Sequence, residues 1–459
     1  MKAVFLPLVD WFGDDEVVEL FSERSQVGAW LAVERALAAT QAELGLIPAE
    51  AATAIENVAV PENVDVRKLR SRTLVVGYPI LPLLEQIGNR SAQAARYVHW
   101  GATTQDVMDT ALALLGGRAF DRVGALVQEL GDEVATKAEE HRATVMPGRT
   151  HAQPAVPITF GGKLAVWLAE LTRHRERLGA ARTRLAVVQL FGAAGTAAAL
   201  GGESRTIRHR VAERLGLGVV DVPWHAARDS VAEAGLVLAG TAGTCGKLAK
   251  EVIELSRPEI GEVREAGGQL RGASSTMPQK ANPIASEAVV GLSILAAQQS
   301  GALLAALQGT HERSAGEWQA EWDALPLAFA ATAGALLGSL RLLEGLRVFP
   351  ERMRANLDVD GGLLMAEAAM MALAAVVGRA AAHACVAEAC SMARAEGIAL
   401  REALERAVDG ETAASLPPLD AVLDPDAYLG ETDAIVTTAL EGWAAIRTPL
   451  RREAGTARP

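Results

Sequence analysis

The sequence predicts an all-α protein organised around long helices, and three observations carry that expectation. Apolar residues recur at gaps of three and four over stretches far longer than an ordinary helix. The apolar half of the composition is mostly Ala, Leu and Val with only 4% aromatics, which suits close helix packing. No convincing run of alternating apolar and polar residues marks a half-buried strand.

Taken in order, residues 14–44 read as helical, with Gly45 and Ile47-Pro48 as the stop. Residues 50–98 read as short helices separated by Pro61, Gly77, Pro79 and Pro82. Thr103 or Thr104 can cap the next helix, with Asp106 in its first turn. Leu112, Leu115, Ala119, Val123, Leu126, Leu130 and Val134 then form one apolar face of that helix. After a break at Pro147-Gly148, a second long helix starts near Phe160, with Leu164, Leu168, Leu171, Leu178 and Leu185 on one side. A third, Asp229–Leu255, carries Val231, Leu238, Cys245, Leu248, Val252 and Leu255. Two more apolar helices are expected at 285–307 and 324–346. Pro350 is a natural boundary, and the unit beyond it is broken at Pro417-Pro418 and Pro425. The expected division is an N-terminal helical domain 1–108, a central five-helix bundle 109–350 and a small C-terminal helical domain 351–459.

Bulk properties exclude several classes. Net charge is −12, from 44 basic and 56 acidic residues, which argues against non-specific nucleic-acid binding. Cys245, Cys385 and Cys390 form no metal-ligand or disulfide pattern, so a cytoplasmic location is expected. The apolar run in MKAVFLPLVDWFGDDE is broken by Pro7 and closed by Asp10 without a cleavage site, so no signal peptide is expected. Residues 324–340 carry no charge, but their Ala and Gly content fits a buried bundle helix better than a membrane span.

Common catalytic motifs fail. No G-x-S-x-G elbow surrounds Ser274, Gly246-Lys247 lacks the spacing of a phosphate loop, and no histidine pair has zinc spacing. Three polar clusters remain. His99, Thr103, Thr104 and Asp106 form the first; Arg149, Thr150, His151 and Gln153 the second; Ser274, Ser275, Lys280 and Asn282 the third. Each has a plain reading as helix caps, a satisfied turn histidine or a solvated loop charge. The third, GASSTMPQKANP at 272–283, has too many hydroxyls for a buried helix. Its Asn282-Pro283 pair reads as an N-cap and first helical residue, so the loop is expected to deliver an anion to a helix N-terminus.

In this order, GATTQD, GRTHAQP and GASSTMPQKANP resemble the three motif regions of the fumarase/aspartase superfamily. The family loop reads GSSxMPxKxNP, and here Ala273 replaces its glycine. HWGATTQD, GEWQAEW and GLLMAEAAMMALA are most similar to the bacterial carboxymuconate cycloisomerase branch. Adenylosuccinate lyase is less similar, because no histidine precedes His99 and its paired-histidine arrangement cannot be drawn.

The resemblance implies addition or elimination through a carbanion held as an aci-carboxylate. It implies Ser274 as proton carrier, His151 as a second catalytic residue, and Lys280 and Asn282 as carboxylate donors. Thr103, Thr104, Arg149, Thr150, Gln153, Ser275 and Met277 are further expected substrate contacts. It also implies a small di- or tricarboxylate substrate, no metal or organic cofactor, no nucleic-acid or membrane partner, and a homotetramer. In that tetramer a twenty-helix core would bring the clusters together from different chains. Many relatives carry Arg between the loop Lys and Asn, whereas this chain has Ala281. Two alternatives stay open: a lyase expelling amine or nitrite from a substituted succinate, and a catalytically silent structural relative.

Overall fold

The computed structural model describes residues 5–266, Met277 and residues 282–447. The fold is all-α, as the periodicity predicts. Thr104–Glu140 is one helix of 37 residues, about 55 Å long at the α-helical rise. Leu115, Val123, Leu126, Leu130 and Val134 of its apolar face are buried. The same holds for Leu164, Leu168, Leu171, Leu178 and Leu185 of the helix Phe160–Leu185. In Asp229–Leu255 the whole predicted stripe, from Val231 to Leu255, is buried. Each such side chain contributes about 1.5–3 kcal/mol on leaving water.

Four local expectations change. The helix read at 14–44 is two, Asp15–Leu20 and Glu23–Glu43, because Ser22 caps the second through the Ser25 N–H. GRTHAQP is not a plain break. It forms the tip of an antiparallel hairpin pairing Val145–Thr150 with Gln153–Thr159. The last bundle helix starts at Glu317, ahead of its apolar run, because its first turns direct Trp318 and Glu321 inward. The helix after the loop starts at Ile284, one residue later than Asn282-Pro283 implies, with the Pro283 carbonyl accepting from the Glu287 N–H.

The chain divides into two compact units. The first comprises Met1–Val127, His174–Lys247 and Ala288–Gly338; the second comprises Gln128–Arg173, Leu248–Glu287 and Ser339–Pro459. In the first, Leu31, Val33, Ile55, Ile80, Leu83 and Val107 belong to one core. A second core there joins Leu37, Val188, Leu190, Leu200, Ile207 and Val211. In the second unit, Val145 of the hairpin packs with Leu357, Leu364, Leu373, Val386 and Leu404. Arg149 ties the hairpin down, donating to both carboxylate oxygens of buried Glu262 at 3.0 and 2.6 Å. Asn356 adds a third donor to Glu262 at 2.8 Å.

Candidate functional site

In the first unit the polar centre is built on the start of the helix Thr104–Glu140. Asp106 is fully buried and accepts four hydrogen bonds. One oxygen takes the Phe191 N–H at 3.0 Å and His225 Nε2 at 2.8 Å. The other takes the Gly192 N–H at 2.9 Å and the Thr103 N–H at 3.0 Å. The expected first-turn acid is thus a latch joining three segments, and it fixes the backbone at Thr103. The His225 nitrogen facing a carboxylate must carry the proton.

Three residues before Ala102, His99 adopts a left-handed backbone at φ 63°. Its N–H and Nδ1 both reach the Glu34 carboxylate, at 3.1 and 2.6 Å. Burial works against a charged imidazole here, but the attraction and hydrogen bond of Glu34 prevail, and the His99 pKa rises.

One turn deeper, Arg228 lies buried between two acids. It donates to Asp109 at 2.8 and 3.1 Å and to Glu321 at 3.0 Å. Burial opposes its charge, yet the two carboxylates outweigh that and its pKa moves up. Trp318 Nε1 also donates to Asp109, at 3.1 Å. Gln105 continues the network, donating to Asp109 at 3.0 Å and to the His225 carbonyl at 2.9 Å. Its amide oxygen accepts from Arg313 Nε at 2.9 Å. Arg313 is half-buried and also donates to Thr103 Oγ1 at 3.3 Å and the Ala193 carbonyl at 3.2 Å. Among the described residues its hydrogen-bond acceptors are all neutral, and it stands beside a candidate substrate residue.

In the second unit, His151 and Ala152 form the two-residue hairpin turn between Thr150 and Gln153. Both have positive φ, 49° and 62°, without a glycine. This backbone costs roughly 1–2 kcal/mol per residue and is characteristic of sites where geometry is enforced. The turn leaves Thr150, His151 and Gln153 exposed, while Arg149 is engaged by Glu262.

At the start of the helix Ile284–Ala306, buried Glu265 accepts from the N–H groups of Ala285 and Ser286 at 3.1 and 2.8 Å. It also takes the Ser286 hydroxyl at 2.7 Å. The anion at this helix N-terminus is the protein's own carboxylate. Those two N–H groups are occupied, which corrects the expectation that they wait for a substrate. Asn282 is half-buried and Met277 is exposed. Ser274, Ser275 and Lys280 lie outside the described residues. Thr103 and Thr104 belong to the first unit, and Arg149, Thr150, His151, Gln153 and Asn282 to the second. Among the described residues no group of three or more His, Cys, Asp or Glu is placed to hold a metal.

Sequence reading missed Gln105, Arg228, Arg313 and Glu321 as site components, although the polar stretches PWHAARD (223–229) and HERSAGEWQAEW (311–322) contain three of them. The Arg228–Glu321, Arg313–Gln105 and Arg313–Thr103 pairs span 93–210 residues of chain, which no local pattern reveals.

Comparison with known proteins gives two family matches: a profile described as Lyase over residues 13–297, and Adenylosuccinate lyase C-terminus over residues 362–439. The chain is 41% identical to a 3-carboxy-cis,cis-muconate cycloisomerase of Pseudomonas aeruginosa, over 92% of this chain and 93% of that one. It is 36% identical to a nitrosuccinate lyase of Streptomyces davaonensis, over 90% of each chain. The crystal structure of a 3-carboxy-cis,cis-muconate lactonizing enzyme from Pseudomonas putida superposes with a TM-score of 0.88 and 37% identity. That match covers 96% of this chain and 99% of the other.

Proposed function

Since the chain belongs to the fumarase/aspartase superfamily of lyases, we propose that it is a cycloisomerase acting on 3-carboxy-cis,cis-muconate or a near analogue. The 41% identity to such an enzyme over 92% of the chain carries this reading. In the reaction a substrate carboxylate oxygen adds to a carbon–carbon double bond. The displaced electron pair moves onto the neighbouring carbon and its carboxylate as an aci-carboxylate, and a proton then quenches it. Ser274 supplies that proton from its hydroxyl and recovers one from solvent afterwards. Lys280 and Asn282 hold the carboxylate where negative charge develops. Thr103, Thr104 and Thr150 orient the substrate, and His151 presents its imidazole from the strained turn. Arg149 holds the hairpin that carries it.

Arg313 is added to this set. Relatives with Arg at the position of Ala281 have a cation in the loop. Here a guanidinium with no carboxylate partner among the described residues stands beside Thr103 instead, and it suits a further substrate carboxylate.

The clusters meet between copies of the chain in a homotetramer, with the 109–350 region supplying the shared bundle. An apolar helix that is incompletely covered supports this: only 39% of the most apolar window of Ile284–Ala306 is buried, and Ile294 is 55% exposed. The location is cytoplasmic and the pathway one of aromatic catabolism.

A substrate panel tests the assignment. Lactone should form from 3-carboxymuconate, with no fumarate released from nitro- or amino-substituted succinates. The second reading, a lyase of substituted succinates, is favoured by the nitrosuccinate lyase similarity and by Ala281; fumarate release without lactone would establish it.

A further inference from the structure

We propose that Gln105 is a positioning residue that aims the Arg313 guanidinium at substrate while leaving its charge intact. The inference rests on the reading of Arg313 as a carboxylate anchor.

Gln105 is fully buried, and the direction of its amide is set by chemistry rather than by shape. Both N–H groups face acceptors, the Asp109 carboxylate and the His225 carbonyl. A flipped amide would set its oxygen against both and its N–H groups against Arg313. The oxygen therefore points at Arg313 Nε, at 2.9 Å. Asp109 is itself held by Arg228 and Trp318 Nε1. A buried acceptor thus holds the Nε–H of a half-exposed guanidinium, and the neighbouring Nη2 on the same edge reaches Thr103 Oγ1.

The choice of a neutral acceptor matters. Arg149 and Arg228 in the same chain are held by carboxylates, which orient a guanidinium but also spend its charge. A glutamate at position 105 would do the same to Arg313. The amide gives orientation alone, which is what a carboxylate-binding arginine requires.

A double-mutant cycle tests this, with calorimetric binding of tricarballylate, an unreactive tricarboxylate, as the readout. Gln105→Leu should weaken binding about ten- to a hundredfold, the worth of one hydrogen bond to a charged group. In the Arg313→Ala background the same change should alter binding less than about twofold. An equal loss in both backgrounds would mean that Gln105 acts structurally and would overturn the proposal. So would wild-type binding no tighter than that of Arg313→Ala. Should Gln105→Leu fail to fold, Arg313→Lys decides: lysine keeps the charge but loses the Nε–H, so it should bind nearly as weakly as Arg313→Ala, and wild-type-like binding would refute the relay. Lactone formation separates the two readings. A protein that makes no lactone yet passes the cycle contradicts the substrate assignment only; one that makes lactone and fails the cycle contradicts the Gln105 role only.

Discussion

Replacing Asp106 by Asn asks how much one buried carboxylate holds together. Asp106 accepts from the N–H groups of Phe191, Gly192 and Thr103 and from His225 Nε2. In Asp106→Asn one oxygen becomes an NH2 group. Its least costly orientation faces His225, because the imidazole can move its proton to the other nitrogen and accept. The Phe191 N–H, which shares that oxygen, is then left buried without a partner, costing about 1–3 kcal/mol. The two surviving backbone bonds lose their charge assistance at about 0.5–1 kcal/mol each. The sum is about 3 kcal/mol, or roughly a hundredfold in the local opening equilibrium. Hydrogen–deuterium exchange read on the peptide spanning Phe191 and Gly192 is the direct assay. Exchange there should accelerate about a hundredfold in Asp106→Asn, while peptides from the second unit stay unchanged. Wild-type protection at Phe191 would refute the latch.

Two further outcomes follow from local geometry. The His99 pKa is raised in the folded protein, so its contribution to stability is full below about pH 6.5 and is lost as pH rises through the folded value. Glu34→Gln should lower that pKa in an NMR titration of His99 and flatten this part of the stability profile; an unmoved titration contradicts the pairing. Ala152→Gly should relieve the left-handed backbone at φ 62° and stabilise the hairpin by up to about 1 kcal/mol, visible as a higher melting temperature. A lower melting temperature would mean that the turn is not strained.

The fold was legible where one physical rule dominated. The leucines from Leu164 to Leu185 and the stripe from Val231 to Leu255 lie on buried faces because a long helix has one way to hide a three-four repeat. The hairpin was not legible, since VMPGRT and QPAVPIT carry three prolines and a glycine and give little strand signal. The start at Glu317 was hidden for a different reason. Its first turns bury a charge, Glu321, beside Trp318, and Glu321 can sit there because Arg228 meets it. Of the expected site residues, those around Thr103 and His151 stand out in the sequence by composition, while Ser274 lies outside the described residues. The wiring of the site was not legible: Glu265 capping a helix some twenty residues on, or Arg313 meeting Gln105, depends on which distant segments the fold brings together.

The central claim is that this chain closes a lactone by protonating an aci-carboxylate from Ser274. Purified protein mixed with 3-carboxy-cis,cis-muconate and followed by the loss of diene absorbance tests it, beside Ser274→Ala at equal concentration. The expected result is lactone formation by the wild type and a rate at least about a thousandfold lower in a variant of unchanged oligomeric mass. Equal rates in the two proteins would remove Ser274 from the mechanism, and an inert wild type would contradict the proposed reaction itself.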